Sequence, residues 1–158
     1  MSLHSLAEHV AEILDVGPGT RVFEVDCGRG EFLLPLHQNG YIVGGIDVDA
    51  DAIQAAVAAM PDGLFQIGGA ASLDPGVPWH VVVCRSFSRA PDLDSMRGVL
   101  ARMFAKATHA IALVDVPDER RQWMLHALAE IGANAIQIED AAHQQNAGAN
   151  RFNVFARV

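Results

Sequence analysis

Apolar residues are spaced along the chain in two ways that alternate from one end to the other. In the longer stretches they recur every three or four residues, which is the spacing of one face of an α-helix. This spacing predicts five helices, at 3–15, 32–38, 50–60, 94–107 and 118–131. Between them lie short apolar runs bounded by glycine, proline or asparagine, which are typical of β-strands.

The short apolar runs predict seven strands, at 21–25, 41–46, 64–67, 81–84, 110–114, 135–138 and 152–158. The fourth run is apolar at every position, which suits a central strand covered on both faces. Alternation of strands and helices predicts an α/β domain with a mainly parallel sheet. Only a polar loop separates the last two strands, so we expect them to pair in antiparallel fashion.

Length and charge narrow the class of protein. The 158 residues fit a single domain, which we divide into an N-terminal helix at 1–16 and a core at 20–158. The net charge of −8 disfavours a nucleic-acid binder, because phosphate affinity needs a basic surface. No apolar run approaches the roughly 20 residues of a membrane span. Acidic residues near the N-terminus exclude a signal peptide, so we expect a cytoplasmic protein.

The cysteines and histidines do not predict a metal site. Two cysteines, Cys27 and Cys84, supply neither a disulfide framework nor zinc-ligand spacing. They fall at the ends of the first and fourth predicted strands, where their sulfurs would be neighbours beside a ligand. The alternative, which we favour, is that both are small apolar residues of the core.

Candidate ligand-binding residues follow the first two strands. In open α/β sheets, ligands bind beyond the carboxyl ends of the strands. The first strand runs into Glu24-Val25-Asp26-Cys27-Gly28-Arg29-Gly30-Glu31, where Gly28 and Gly30 allow a positive φ and a close approach of the backbone to a ligand. The second strand ends at Asp47, 17 residues after Gly30, a position suited to a carboxylate that binds ribose hydroxyls.

These segments, together with Gly44-Gly45-Ile46-Asp47-Val48-Asp49 and the strand 79–84, resemble the class I S-adenosylmethionine (SAM)-dependent methyltransferases. The resemblance implies a Rossmann-like three-layer sandwich with strand order 3-2-1-4-5-7-6, the last strand antiparallel. It also implies SAM as cofactor, with its methionine part over the glycine loop, its ribose on Asp47 and its adenine against Val48. The implied cofactor-binding residues are Glu24, Asp26, Cys27, Gly28, Gly30, Asp47, Val48, Ala70 and Arg85.

Two positions depart from the pattern of that family. Asp26 stands where the family usually has glycine, and Gly69 stands where many members have an aspartate near the adenine. Asp26 either contacts the ligand or bonds nearby backbone amides. The departures leave a second hypothesis open, a non-catalytic domain of the same fold that serves as an interaction or regulatory module. A dinucleotide site is disfavoured, because Leu33 replaces the third glycine of that motif.

The sequence gives only weak indications of which residues bind the methyl acceptor. Arg85 and Arg89 flank the segment after the fourth strand and are candidates for binding an acidic substrate. His4, His9 and His143 are candidates for a general base, and we assign no catalytic residue. We expect a small-molecule acceptor. Since the chain contains no inserted lid, we also expect an open site or one completed by a second copy in a homodimer.

Overall fold

The structure, a computed structural model, describes residues 2–85, 87, 92–141 and 150–158. The helices are α1 (Leu3–Ile13), α2 (Leu33–Gln38), α3 (Ala50–Ala59), α4 (Leu93–Lys106) and α5 (Arg121–Glu130). The strands are β1 (Arg21–Val25), β2 (Ile42–Asp47), β3 (Leu64–Ile67), β4 (Trp79–Cys84), β5 (Ala107–Pro117), β6 (Ala135–Asp140) and β7 (Arg151–Arg157). Each element overlaps the helix or strand that the sequence predicts.

The seven strands form one sheet in the order β3-β2-β1-β4-β5-β7-β6. The first five pair in parallel, and β7 pairs antiparallel with both β5 and β6. The predicted order and the antiparallel last strand are therefore confirmed. The carboxyl ends of β1, β2, β4 and β5 lie at the same edge of the sheet, which we call the carboxyl edge.

Helices cover both faces of the sheet and give it three layers. On one face, buried residues of α1, α2 and α3 pack against alternate strand residues such as Val22, Val81 and Val83. On the other face, buried residues of α4 and α5 pack against the alternate residues Phe23, Val25, Val82 and Cys84. The two clusters interleave along each strand because successive side chains of a strand point to opposite faces.

Polar side chains mark where three of the helices begin. Ser2 caps α1, Asp49 caps α3 and Asp92 caps α4, each by accepting a backbone N–H of the first turn.

In the described ranges, no helix has the length and apolar character that crossing a membrane requires.

Strand β5 is longer than its apolar run predicts, because pairing continues at Ala107 with β4 and at Val116 and Pro117 with β7. Its register with β7 shifts between Leu113 and Val116. Within this irregular stretch, Asp115 has a φ of 62°. A left-handed conformation at a non-glycine residue is uncommon, although aspartate tolerates it better than most residues.

Lys106, at the end of α4, is only 5% exposed. Its Nζ donates to the carbonyl oxygens of Asp74 (2.6 Å) and Val77 (3.0 Å) and lies 4.9 Å from the Phe23 ring centroid. Burial lowers the pKa of this amine. We expect Lys106→Met to reduce the free energy of unfolding by about 1–2 kcal/mol, because two charge-assisted hydrogen bonds to the 74–77 loop are lost.

Urea unfolding of Lys106→Met and of Lys106→Arg measures this contribution. The arginine variant keeps a charged donor and is expected to lose less stability. A methionine variant as stable as the wild type would contradict a role for Lys106 in fixing the loop.

Candidate ligand site at the carboxyl edge

The loop after β1 turns sharply through residues with positive φ. Asp26, Gly28 and Gly30 have φ values of 55°, 54° and 77°. The Cys27 N–H donates to the Ile46 carbonyl oxygen (3.1 Å), and this bond fixes the loop to the end of β2. Asp26 thus has a left-handed backbone conformation at a position where the resembled family usually has glycine. Aspartate is among the residues that tolerate this conformation.

The two glycines of the loop have different surroundings. A Cβ atom added at Gly30 would lie 2.4 Å from Met60 Cε, the end of a flexible side chain, and 3.5 Å from Ala56 Cβ, so Gly30 packs closely against α3 while its positive φ favours glycine. A Cβ atom added at Gly28 would meet nothing within 4 Å. Gly28 therefore borders open space, as expected of a backbone segment that a ligand approaches closely.

Asp47 connects the end of β2 to this loop. Its Oδ2 accepts the Gly28 N–H (2.7 Å), and its Oδ1 accepts the Asp49 N–H (2.9 Å). Asp49 itself accepts the N–H groups of Asp51 and Ala52 and so caps α3. Asp47 is thereby left for the loop and for a ligand, since the capping role belongs to Asp49.

An exposed apolar residue follows Asp47. Val48 is 70% exposed, and its Cγ1 is 3.5 Å from the position of a Cβ atom added at Gly69. Ala70 begins a short 3-10 turn directly after Gly69. Val48, Gly69 and Ala70 thus form a small apolar surface beside the Asp47 carboxylate. Exposed valine at such a place suits contact with a flat apolar ring.

A buried ion pair joins the ends of β1 and β4. Glu24 is fully buried, and its Oε1 accepts the Arg85 Nε at 2.5 Å. Glu24 Oε2 is buried and has no partner in the described structure. The Arg85 guanidinium lies 5.3 Å from the centroid of the Phe32 ring, which suits a cation–π contact.

Burial raises the pKa of Glu24 from 4.5 to about 7. The Arg85 guanidinium lowers this pKa, and the carboxylates of Asp26 and Asp47 raise it further. Three carboxyl groups and one guanidinium therefore meet below and beside the glycine loop. These four groups have an excess of one negative charge with Glu24 protonated and of two with Glu24 ionised, so they favour a ligand that carries positive charge.

The two cysteines lie on opposite faces of the sheet. Cys27 packs in the core under α1, α2 and α3, whereas Cys84 belongs to the core under α4 and α5. Both are buried and unoxidised. Burial, with Glu24 and Asp47 nearby, raises the pKa of the Cys27 thiol to about 12. The placement agrees with small apolar core residues and not with two sulfurs side by side.

The sequence analysis did not predict a polar cluster that lies at the carboxyl edge of β5. The Asp115 N–H donates to Asn153 Oδ1 (3.0 Å), and Arg151 Nη1 donates to the Asp115 carbonyl (2.8 Å) and Oδ2 (3.0 Å). Asp115 Oδ1 is buried and has no partner among the described residues. Burial raises the pKa of Asp115 and Arg151 lowers it. The signal in the sequence was only an aspartate near the end of an apolar run.

The candidate histidines have separate surroundings. His9 Nε2 lies 2.7 Å from Glu139 Oε2, which joins α1 to β6, and His4 pairs with Glu8 on the surface of α1. His143 and Arg89 lie outside the described residues. In the part of the chain that the structure covers, no three histidine, cysteine, aspartate or glutamate residues are grouped so as to hold a metal ion.

All nine predicted cofactor residues are described, and seven of them meet around the loop. Six of them are linked by the bonds and charges given above, and the Gly30 N–H donates to the Cys27 carbonyl oxygen (3.0 Å); the seven are Glu24, Asp26, Cys27, Gly28, Gly30, Asp47 and Arg85. Val48 and Ala70 flank the same end of β2.

Solved structures resemble this chain closely in fold. The magnesium protoporphyrin IX methyltransferase of Synechocystis, with bound SAM, superposes with a TM-score of 0.80 at 18% identity, covering 98% of this chain and 79% of that chain. An amino pentose methyltransferase of Micromonospora echinaspora, also with bound SAM, gives 0.78 at 16% identity and covers 100% and 92%. The N-methyltransferase NodS of Bradyrhizobium japonicum gives 0.77 at 15% identity and covers 98% and 93%.

Sequence comparison alone gives no such relatives, since no protein-family model and no curated protein matches the chain. The structural likeness, which covers 98–100% of this chain at TM-scores of 0.77–0.80, decides the fold. The chain has the Rossmann-like fold of the class I SAM-dependent methyltransferases.

Proposed function

We propose that the protein binds SAM at the carboxyl edge of β1 and β2 and transfers its methyl group to a small-molecule acceptor. The observation that carries the proposal is the Asp47 carboxylate, bonded to the Gly28 N–H at 2.7 Å. A carboxylate has about four acceptor positions, and the two backbone bonds to Asp47 use half of them. The other half suits the two hydroxyls of a ribose.

Three further observations support the fit of SAM. The open space at Gly28 suits a ligand lying on the backbone of the loop. The exposed Val48 beside Gly69 suits the adenine ring. Glu24 Oε2, which is buried and has no partner among the residues that the structure describes, gives the region a carboxylate oxygen that favours the positive charge of the cofactor. We therefore infer that Glu24, Asp26, Gly28 and Asp47 hold the cofactor.

Bound SAM supplies a methyl group already activated by the positive charge of its sulfonium. The chain's own residues then need mainly to hold the cofactor and acceptor in line. The carboxylate of Asp47 and the backbone at Gly28 fix the orientation of the cofactor. A general base is required only for an acceptor that must lose its proton early, so we assign no catalytic base.

The acceptor is expected over the ends of β4 and β5. In register, Cys84 lies between Val25 of β1 and Leu113 of β5. Arg85 and Asp115 therefore border the edge next to the proposed cofactor site, about 5–10 Å across one or two strands. The net charge of −8 disfavours a nucleic acid as the acceptor, so we expect a small molecule.

A non-catalytic domain of the same fold is the second candidate. Asp26 in place of glycine and Gly69 in place of aspartate are the observations that favour it. Calorimetric titration of the wild type with SAM and with S-adenosylhomocysteine (SAH) separates the two functions. Binding of both ligands supports the proposal, whereas binding of neither would leave a methyltransferase fold without its cofactor.

Gly28→Ala tests the site itself. The substitution adds a methyl group where the loop borders open space, and we expect SAM binding to weaken by about tenfold or more, equivalent to ~1.4 kcal/mol. The backbone cost of alanine at this positive φ is about 1–2 kcal/mol, so the protein is expected to remain folded. Isothermal titration measures the affinity, and circular dichroism checks the fold.

Gly19→Ala is the matched control. Gly19 also has a positive φ and nothing within 4 Å of an added Cβ, but it lies in the turn before β1. It should carry a similar backbone cost and leave SAM affinity unchanged. Equal loss of affinity in both variants would assign the effect to stability and not to ligand contact.

A further inference from the structure

The Glu24 carboxyl group is fully buried, yet the bonds around it leave one of its oxygens without a partner. Its Oε1 accepts Arg85 Nε at 2.5 Å, and its Oε2 has no partner within the described chain. Native proteins rarely leave a buried polar atom unpaired. The remaining acceptor of such a carboxyl group can be satisfied by a proton on the group itself or by a cation of a ligand beside it.

The charged groups that face Glu24 come from three strand ends. Arg85 follows β4 and contributes the positive charge, while Asp26 after β1 and Asp47 at the end of β2 contribute negative charge. The Cys27 thiol also couples to Glu24, but its pKa of about 12 keeps it neutral near pH 7. Phe32, which directly precedes α2, contributes no charge, and its ring lies against Arg85.

The balance of charge therefore depends on Glu24. With Glu24 protonated, the four groups carry two carboxylates and one guanidinium, and with Glu24 ionised they carry three carboxylates. A cation placed beside them stabilises the ionised form and drives the proton off. SAM differs from SAH by one methyl group and the positive charge of its sulfonium, while both share the amino acid, ribose and adenine parts.

We propose that Glu24 is a specificity-determining residue that loses a proton when the sulfonium of SAM binds, so that the site distinguishes SAM from SAH by charge. The inference rests on the proposed function, because it requires SAM to bind at the glycine loop. Its consequence is a cofactor affinity that rises with pH for SAM and much less for SAH. SAH, which lacks the sulfonium charge, would then gain less affinity than SAM as the pH rises through 7.

The pH range follows from the raised pKa of Glu24. A free-state pKa of about 7 means that about half of the molecules hold the proton at pH 7. If bound SAM lowers the pKa by one or two units, its affinity should rise about five- to tenfold from pH 6 to pH 8. Binding at pH 7 should then release about half a proton per SAM.

Isothermal titration of the wild type at pH 7, in phosphate and in Tris, gives the number of protons released from the difference in apparent enthalpy. We expect about half a proton for SAM and a value near zero for SAH. Glu24→Gln, which has nearly the same shape and cannot ionise, should abolish the release. Glu12→Gln, which removes an exposed carboxylate of α1, should leave it unchanged.

The outcomes separate this inference from the proposed function. SAM binding without proton release, or with the same release in Glu24→Gln, would overturn the inference and leave SAM binding established. Binding of neither ligand would overturn both. If Glu24→Gln does not fold, carbon-13 NMR of the wild-type Glu24 carboxyl replaces it. Its titration midpoint should fall on addition of SAM and remain in place with SAH, and equal midpoints would contradict the inference.

Discussion

Replacing Asp47 with alanine should weaken SAM binding by about 100-fold or more, since each hydrogen bond to a charged group is worth about 1.5–3 kcal/mol. Two effects combine in this variant. The ribose loses its carboxylate, and the Gly28 and Asp49 N–H groups lose the acceptor that fixes the loop to β2. Isothermal titration with SAM measures the affinity directly.

Stability and affinity are separated by two further measurements. Thermal unfolding of Asp47→Ala should show only a modest loss of stability, because Asp47 lies at a half-buried strand end. Asp51→Ala, which removes an exposed carboxylate from the first turn of α3, should bind SAM like the wild type. An Asp47→Ala protein with wild-type affinity would show that the ribose site lies elsewhere.

Replacing Glu24 with glutamine should remove most of the loss of stability that the wild type undergoes between about pH 4.5 and pH 7. The folded state holds the Glu24 proton more tightly than the unfolded chain does, since burial raises the pKa from 4.5 to about 7. The penalty is therefore absent below pH 4.5 and complete above pH 7. A shift of this size corresponds to about 3 kcal/mol.

Urea unfolding at pH 5 and pH 8 measures this effect. At pH 5 the two proteins should differ little, while at pH 8 Glu24→Gln should be the more stable by about 2–3 kcal/mol. Glu12→Gln, which removes an exposed carboxylate, serves as the control and should follow the wild-type pH profile. Parallel profiles for Glu24→Gln and the wild type would mean that Glu24 remains ionised throughout.

Periodicity predicted the helices because each buries one face, as α4 does with Met96, Leu100 and Met103. The run 81–84 lies in β4, at the centre of the sheet, where both faces are covered. Asp47 was predictable for a related reason. It ends an apolar strand, and the carboxyl ends of neighbouring parallel strands bring it beside the Gly28 loop.

The charged contacts across the sheet were not predictable from local pattern. Glu24 and Arg85 are 61 residues apart, and nothing in the spacing of either residue indicates the other. Asp115 lies inside a strand that bulges, and its partner Arg151 comes from the antiparallel β7. Contacts of this kind depend on register, which a single sequence does not determine.

The two departures from the family pattern have physical explanations in the fold. Asp26 adopts a φ of 55°, which aspartate tolerates at low cost compared with branched residues. Gly69 lies opposite the exposed Val48, so that an apolar surface occupies the place of a polar contact. Neither change closes the open space at Gly28.

The most direct test of SAM binding at the carboxyl edge is a map of amide chemical shifts. Nitrogen-15 labelled wild-type protein is titrated with SAM, and the shifts are followed residue by residue. We expect the largest changes at Gly28, Asp47, Val48 and Gly69, with little change at the amino ends of the strands. Shifts confined to other surfaces, or no shifts at millimolar SAM, would contradict the proposed site.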